Sequence, residues 1–308
     1  MKCVSIAAYA LAAAGGALIG QTLWAPKGES AVYTAPHKPH TKLKEVRARH
    51  AGRKEWRELV VDDKHLRSEY VQAAPGAVSK RALHPDTRTW WVILDGEFEF
   101  DIETVGKVRG TRRSIVQCPM QTFFSWKVVG DKPGLMFETN IAGARTLFES
   151  SVAPPKAPGL DWIPVRFPNR EIGKFLHGNK PVVTFEETAE ALDAGKLKGT
   201  IRLVQDDRGT ANFIYGYNSK LPPLDPKAKG HYHAEGAEYW LILQGQIRYP
   251  IEKVMDRIGP VIADEGDVVY VPPFTWHFPR WWGEGASCRL AMNGFPYISH
   301  LFPGEAGE

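Results

Sequence analysis

The chain has 308 residues, enough for two domains with ordinary cores. Its 43% hydrophobic and 24% charged content is that of a globular protein and excludes a disordered one. The net charge is only +4, and no run interleaves bases with aromatics, so nucleic acid is not an expected partner.

The chain opens like an export signal over residues 1–25. Lys2 supplies a short positive region, and Ile6 to Gly20 is an apolar, Ala-rich run. Ala25 is followed by Pro26, which disfavours cleavage there, with Ala31 and Ala35 as weaker choices. An uncleaved N-terminal membrane anchor therefore stays open beside a cleaved signal peptide, although the run is short for a spanning helix. Either way the folded part is expected outside the cytoplasm, and a bacterial periplasm fits. Residues 26–55 form a basic arm, with Lys42, Lys44, Arg47, Arg49 and Arg53 reading as a solvated face. Of Cys3, Cys118 and Cys288, the last two sit in strand-like apolar runs. They read as small buried hydrophobes, with a Cys118–Cys288 bridge as the alternative in an oxidising compartment.

Short runs rich in Val, Ile, Phe, Trp and Tyr, separated by 29 glycines and 23 prolines, then predict a mainly β chain in two related halves. WWVILDGEFEFDIE (Trp90 to Glu103) matches YWLILQGQIRYPIE (Tyr239 to Glu252) at a constant offset. IVQCPMQTF (Ile115 to Phe123) matches VVYVPPFTW (Val268 to Trp276), and the step from Pro119 to Asn140 equals that from Pro272 to Asn293. Such similarity at a long period signals duplication. Gly96 and Gly245 mark the reversals between paired strands, where a positive φ is wanted. The expected division is 56–150 for the first unit, 151–180 for a Pro-rich linker and 181–308 for the second unit. A helix from Phe185 to Ala194, capped by Thr184 with Glu187 and stopped by Gly195, follows the linker.

The second half carries the chemistry. His231 and His233, two apart, face one side of a strand. Glu238 lies five further on, and His277 comes from a different hairpin. Three imidazoles and a carboxylate can hold one divalent transition metal and leave positions open for substrate or dioxygen. The first half has Ala82, His84, Thr89 and Phe124 at the matching places, so one metal per chain is expected, with His84 a hydrogen-bonded barrel residue. Tyr232 and Tyr239 stand out as acid/base candidates, and Trp240, Phe274 and Trp276 as substrate-pocket walls. Arg280 and Arg289 are candidate partners for a carboxylate or phenolate.

The segments Gly230 to Gly245 and Gly266 to His277 resemble the two signature motifs of the cupin superfamily. The first has two histidines, a glutamate and a turn glycine; the second has glycine, proline and a final histidine. The resemblance, extended by the repeat, implies a bicupin: all-β, two tandem double-stranded β-helix (jelly-roll) barrels with a few short helices. It assigns the metal to His231, His233, Glu238 and His277, with Fe or Mn favoured and Cu, Ni or Zn also suited. Phe274 departs from the pattern where glycine is common, and Trp281 where asparagine is. The implied activity is that of a dioxygenase-like oxidoreductase acting on a small aromatic or apolar substrate. The alternatives are a redox-neutral lyase, isomerase or decarboxylase, and a non-enzymatic cupin that binds metal or a small ligand. A homodimer is left open.

Overall fold

The computed structural model describes residues 23–152, 154–156, 159, 161–295 and 298–304. Nearly all of the expected signal segment, Cys3 included, lies outside the described residues. Among the described residues no helix is long and apolar enough to cross a membrane.

The fold is mainly β, with three short helices among the described residues: Leu43–Arg49, Phe185–Asp193 and Met255–Ile258. Two six-stranded antiparallel sheets dominate. One runs in the order Val182–Val183, Ile115–Cys118, Thr89–Asp95, Gly134–Ile141, Leu66–Ala73 and Trp56–Asp62. The other runs His40–Thr41, Val268–Val271, Glu238–Gln244, Ala286–Asn293, Gly209–Tyr217 and Ile201–Asp206. A five-stranded sheet that includes Glu97–Ile102 and Phe124–Val129 closes the first barrel. A three-stranded sheet of Val261–Ala263, Gln246–Tyr249 and Arg280–Trp282 closes the second.

The continuous apolar runs of the duplicated strands follow from burial on both faces. In Thr89–Asp95, Trp91 and Ile93 fill the first barrel, while Trp90, Val92 and Leu94 enter the seam between the barrels. In Glu238–Gln244, Trp240 and Ile242 fill the second barrel, while Tyr239, Leu241 and Leu243 meet the same seam. The seam is thus a third core that welds the two large sheets back to back. Each large apolar side chain it buries contributes about 1.5–3 kcal/mol. Its polar groups are also matched: Tyr70 Oη donates to the Gly266 carbonyl at 2.6 Å, and Gln117 Nε2 to the Leu203 carbonyl at 3.0 Å.

Each barrel borrows a strand from outside its own half. His40–Thr41 pairs with Val268–Val269 of the second barrel, whereas Val182–Val183 pairs with Ile115–Val116 of the first. The basic arm is therefore docked along its backbone, while Lys44, Arg47, Arg49 and Arg53 keep the exposed, solvated face expected of them. Asp267 accepts the Leu43 amide and meets His40 Nε2 at 2.7 Å; Arg47 pairs with Asp95 at 3.2 Å, and Arg49 and His50 pair with Glu58. The helix after the linker starts as its sequence predicts, Thr184 accepting the Glu187 amide at 3.3 Å, and Gly195 follows it at φ +68°. Cys118 and Cys288 are both buried and free.

Candidate metal centre

The four ligands expected from the sequence converge. His231 and His277 form a two-residue antiparallel bridge, with N–H to carbonyl distances of 3.1 and 2.9 Å in the two directions. His233, two residues on, turns its ring to the same side, and its carbonyl accepts the Phe274 amide at 2.7 Å. Glu238 opens the strand that runs between Val268–Val271 and Ala286–Asn293. One donor atom from each of the four lies within 4.8 Å of the others, and all but His231 are buried. The three ring centroids are 5.0, 4.4 and 5.1 Å apart. Imidazoles whose nitrogens lie about 2.1 Å from one ion have centroids about 4.5–5.3 Å apart, so the rings fit a shared centre.

The tautomers follow from the hydrogen bonds. His233 Nδ1 is 2.7 Å from the Ser299 carbonyl, and His277 Nδ1 is 2.9 Å from the Thr275 carbonyl. A carbonyl only accepts, so both Nδ1 atoms carry hydrogen, and the Nε2 lone pairs point inward. Those two Nε2 atoms face Glu238 Oε2 at 3.0 and 3.5 Å. His277 Nε2 lacks a well-directed partner, which leaves a buried donor atom aimed at the centre. Two lone pairs and a carboxylate face to face require a proton or a cation between them, and a divalent metal fits that need.

The electrostatics agree. Burial, reinforced by His277, pushes the His231 pKa down to about 3, which leaves a neutral imidazole ready to ligate. Burial alone would raise Glu238, but the close approach of His233 and His277 overrides it and holds the carboxylate well below its ordinary range. Burial would lower His233; its hydrogen bond and charge pairing with Glu238 win and raise it.

The structure separates the other candidates. Trp240 is fully inside the barrel, its ring 5.3 Å from His277 and 5.0 Å from Tyr249. Tyr239 points the opposite way, into the seam, where its hydroxyl meets Ser68 Oγ at 2.7 Å; strand alternation removes it from the acid/base candidates. Tyr232 is likewise turned away by the alternation that aims His231 and His233 inward. It meets Trp276 edge-to-face (4.8 Å) and lies tilted against Phe274 (6.1 Å) on the outer face, where Lys27 caps Tyr232 and Trp276. Phe274 and Trp276 therefore do not wall the pocket. Phe274 sits at φ +58°, which accounts for the glycine common at this place. Arg280 is committed to the Pro222 carbonyl.

Arg289 differs. Asn212, Tyr249, Trp281 and Arg289 lie on interior-facing positions of the second barrel, and each has a buried polar atom without a partner: Oδ1, Oη, Nε1 and Nε. His300 was not legible in the sequence. It follows the last strand in a tail with no periodic pattern, yet its ring lies 4.7 Å from both His231 and His233.

Neither the protein-family models nor the curated proteins compared with the sequence give a match. Solved structures do. Salicylate 1,2-dioxygenase from Pseudaminobacter salicylatoxidans aligns at 13% identity and TM-score 0.59, over 87% of this chain and 84% of that one. A cupin 2 conserved barrel domain protein from Leptotrichia buccalis aligns at 12% and 0.53, over 87% and 98%. Oxalate decarboxylase from Lactobacillus farciminis, in a formate complex, aligns at 12% and 0.50, over 81% and 84%. The likeness is one of fold: the chain is built as two cupin barrels in tandem, with a His-His-Glu-His group in the second.

Proposed function

We propose that the protein is an exported, metal-dependent oxidoreductase of the dioxygenase type, acting on a small aromatic substrate that carries an acidic oxygen. A divalent transition metal held by His231, His233, Glu238 and His277, iron or manganese by preference, would supply Lewis acidity and open positions for substrate and dioxygen. The protein's own residues do the selecting. Trp240 offers a flat apolar wall beside His277. Tyr249 sets its ring 5.0 Å from that of Trp240 inside the same barrel, and its buried hydroxyl has no partner there. Burial raises the Tyr249 pKa and keeps its hydroxyl a neutral hydrogen-bond donor.

The observation that carries this reading is the set of four orphaned polar atoms on Asn212, Tyr249, Trp281 and Arg289. Buried polar atoms without partners are unfavourable by about 1–3 kcal/mol each. A planar ligand bearing a carboxylate or phenolate would satisfy the three donors among them at once. The test is oxygen uptake by iron(II)-loaded protein over a panel of hydroxylated aromatic acids, gentisate included. Uptake should vanish in His277→Ala. In Arg289→Met the KM for an anionic substrate should rise by about 10- to 100-fold, the worth of a charged hydrogen bond. One metal per chain without oxygen uptake on this substrate class would overturn the proposal.

A further inference from the structure

Beside the metal group lies a segment that the four-ligand description leaves out. Residues 298–304 run antiparallel to the ligand strand and are fastened by a single bridge. Tyr232 and Leu301 exchange both N–H to carbonyl bonds, at 3.1 and 3.0 Å. In such a pairing the residues that flank the bridge lie opposite one another on one face, with Cβ atoms about 4.5–5.5 Å apart. The flanks of Tyr232 are the ligands His231 and His233. The flanks of Leu301 are Phe302 and His300, so the register sets His300 against His233 and Phe302 against His231. The rings stand accordingly: His300 is 4.7 Å from His233 and 4.7 Å from His231, and Phe302 is 5.3 Å from His231.

The spacing of His300 from its two neighbours falls within the 4.4–5.1 Å that separates the three histidine ligands from one another. It remains outside the group whose donor atoms lie within 4.8 Å, and it is exposed. His300 thus stands on the solvent side of the centre, one imidazole further out. The same strap reaches the centre a second way, because the Ser299 carbonyl accepts from His233 Nδ1 and fixes that ligand's tautomer.

We propose that His300 is an exchangeable further ligand of the metal centre. The strap of residues 298–304 presents its imidazole to the solvent-facing coordination position, and an incoming ligand must displace it. This rests on the metal-centre reading above. The strap can yield because, among the described residues, one two-bond bridge holds it in place of a ladder, helped by the Ser299 bonds to His233 and Glu235 and by the Phe302 ring.

The experiment uses full-length protein loaded with cobalt(II), whose visible absorption reports coordination number, and azide as the probe of the open position. Wild type and His300→Ala should each take up about one cobalt per chain. Their d–d spectra should differ, and azide should bind the variant about tenfold more tightly because it no longer competes with an imidazole. Leu301→Pro keeps His300 but removes the amide that bonds Tyr232, and it should reproduce both changes. Equal cobalt content with unchanged spectra and azide affinity in both variants would overturn the strap ligand and leave the metal centre standing. Failure of wild type to bind cobalt would overturn both.

Discussion

The two barrels share one backbone plan and differ in what they put inside it. Ala82 pairs with Phe124 in the first barrel as His231 pairs with His277 in the second. Thr89 opens its strand opposite Cys118 as Glu238 opens its strand opposite Val271. Gln121 and Phe274 both take a positive φ, 56° and 58°, and their amides donate to the carbonyls of His84 and His233. Even the carboxylate that ties the last hairpin recurs: Glu103 accepts the Phe123 amide, and Glu252 the Trp276 amide. The scaffold that could aim four ligands is thus present twice. In the first barrel the aimed positions hold a methyl group, a hydroxyl and a phenyl ring around His84. What the difference teaches is that these folds separate positioning from chemistry. Backbone bridges and left-handed turns place the side chains, and side-chain identity alone decides whether a metal can sit there.

The interiors diverge in charge as well. The first barrel keeps a cavity of about 750 Å³, lined by Arg57, Glu69, His84, Phe124 and Glu138 among others. Its polar groups satisfy each other: Trp91 Nε1 donates to Glu138 at 2.6 Å, and Arg57 reaches Glu69 at 2.6 Å and Glu138 at 3.2 Å. The second barrel has Tyr249 and Arg289 where the first has Phe100 and Met136, and the buried Tyr249 Oη and Arg289 Nε are left unpaired. A barrel that closes its own hydrogen bonds suits a structural role; one that leaves them open suits a ligand.

The sharpest way to break this comparison is to give the second barrel a residue of the first. Glu238→Thr installs the side chain found at position 89. It removes the only charged donor and leaves His233 and His277 facing an uncompensated gap. Metal affinity, read by competition with a chromophoric chelator, should fall by more than about 100-fold, beyond the 10- to 100-fold typical of outer-sphere partners. Retention of near-normal affinity would show that the three histidines suffice and that the carboxylate is structural.

The proton should act next most strongly. Glu238 is held deprotonated and His231 is neutral, its pKa pushed down to about 3, so neither has a proton to lose near neutral pH. His233 is raised above its ordinary 6.5 in the metal-free protein and must release a proton when metal binds. The logarithm of the metal association constant should therefore climb by about one per pH unit below the His233 pKa and level off above it. Calorimetric titrations between about pH 5.5 and 8.5 check this. A slope of two would mean that a second ligand is also protonated.

Much of this is legible in the sequence. The ligands were readable because period-two alternation and a turn glycine fix which residues share a face. The repeat was readable because both barrels bury the same strand on both sides and so keep Trp, Ile and Leu in register. Three features were not. The sequence shows alternation but not which face is inward where both faces are apolar, so Tyr239 and Trp240 looked equivalent; the seam decides between them. Phe274 and Trp276 sit beside the motif in sequence, yet pair with Tyr232 on the outer surface. His300 depends on one bridge in a tail that has no strand pattern.

The smallest expected effect tests the comparison from the silent side. His84 occupies the place of His233 and makes the same kind of bond, its Nδ1 2.9 Å from the Arg145 carbonyl. Its ring, however, faces Phe124 at 5.5 Å, and Thr89 spends its hydroxyl on the Thr139 carbonyl at 3.2 Å. Burial lowers its pKa, so it is a neutral imidazole bonded through Nδ1 to the Arg145 carbonyl and, at 3.5 Å, to Thr146 Oγ1, with no matching imidazole to share an ion. His84→Ala should leave metal content at about one per chain, measured by elemental analysis. Its stability should drop by only the net worth of that hydrogen bond, about 0.5–1.5 kcal/mol by denaturant melt. A fall in metal content would mean that the first barrel holds an ion on a single imidazole and neighbouring carboxylates. The separation of positioning from chemistry would then fail at the point where it is most easily checked.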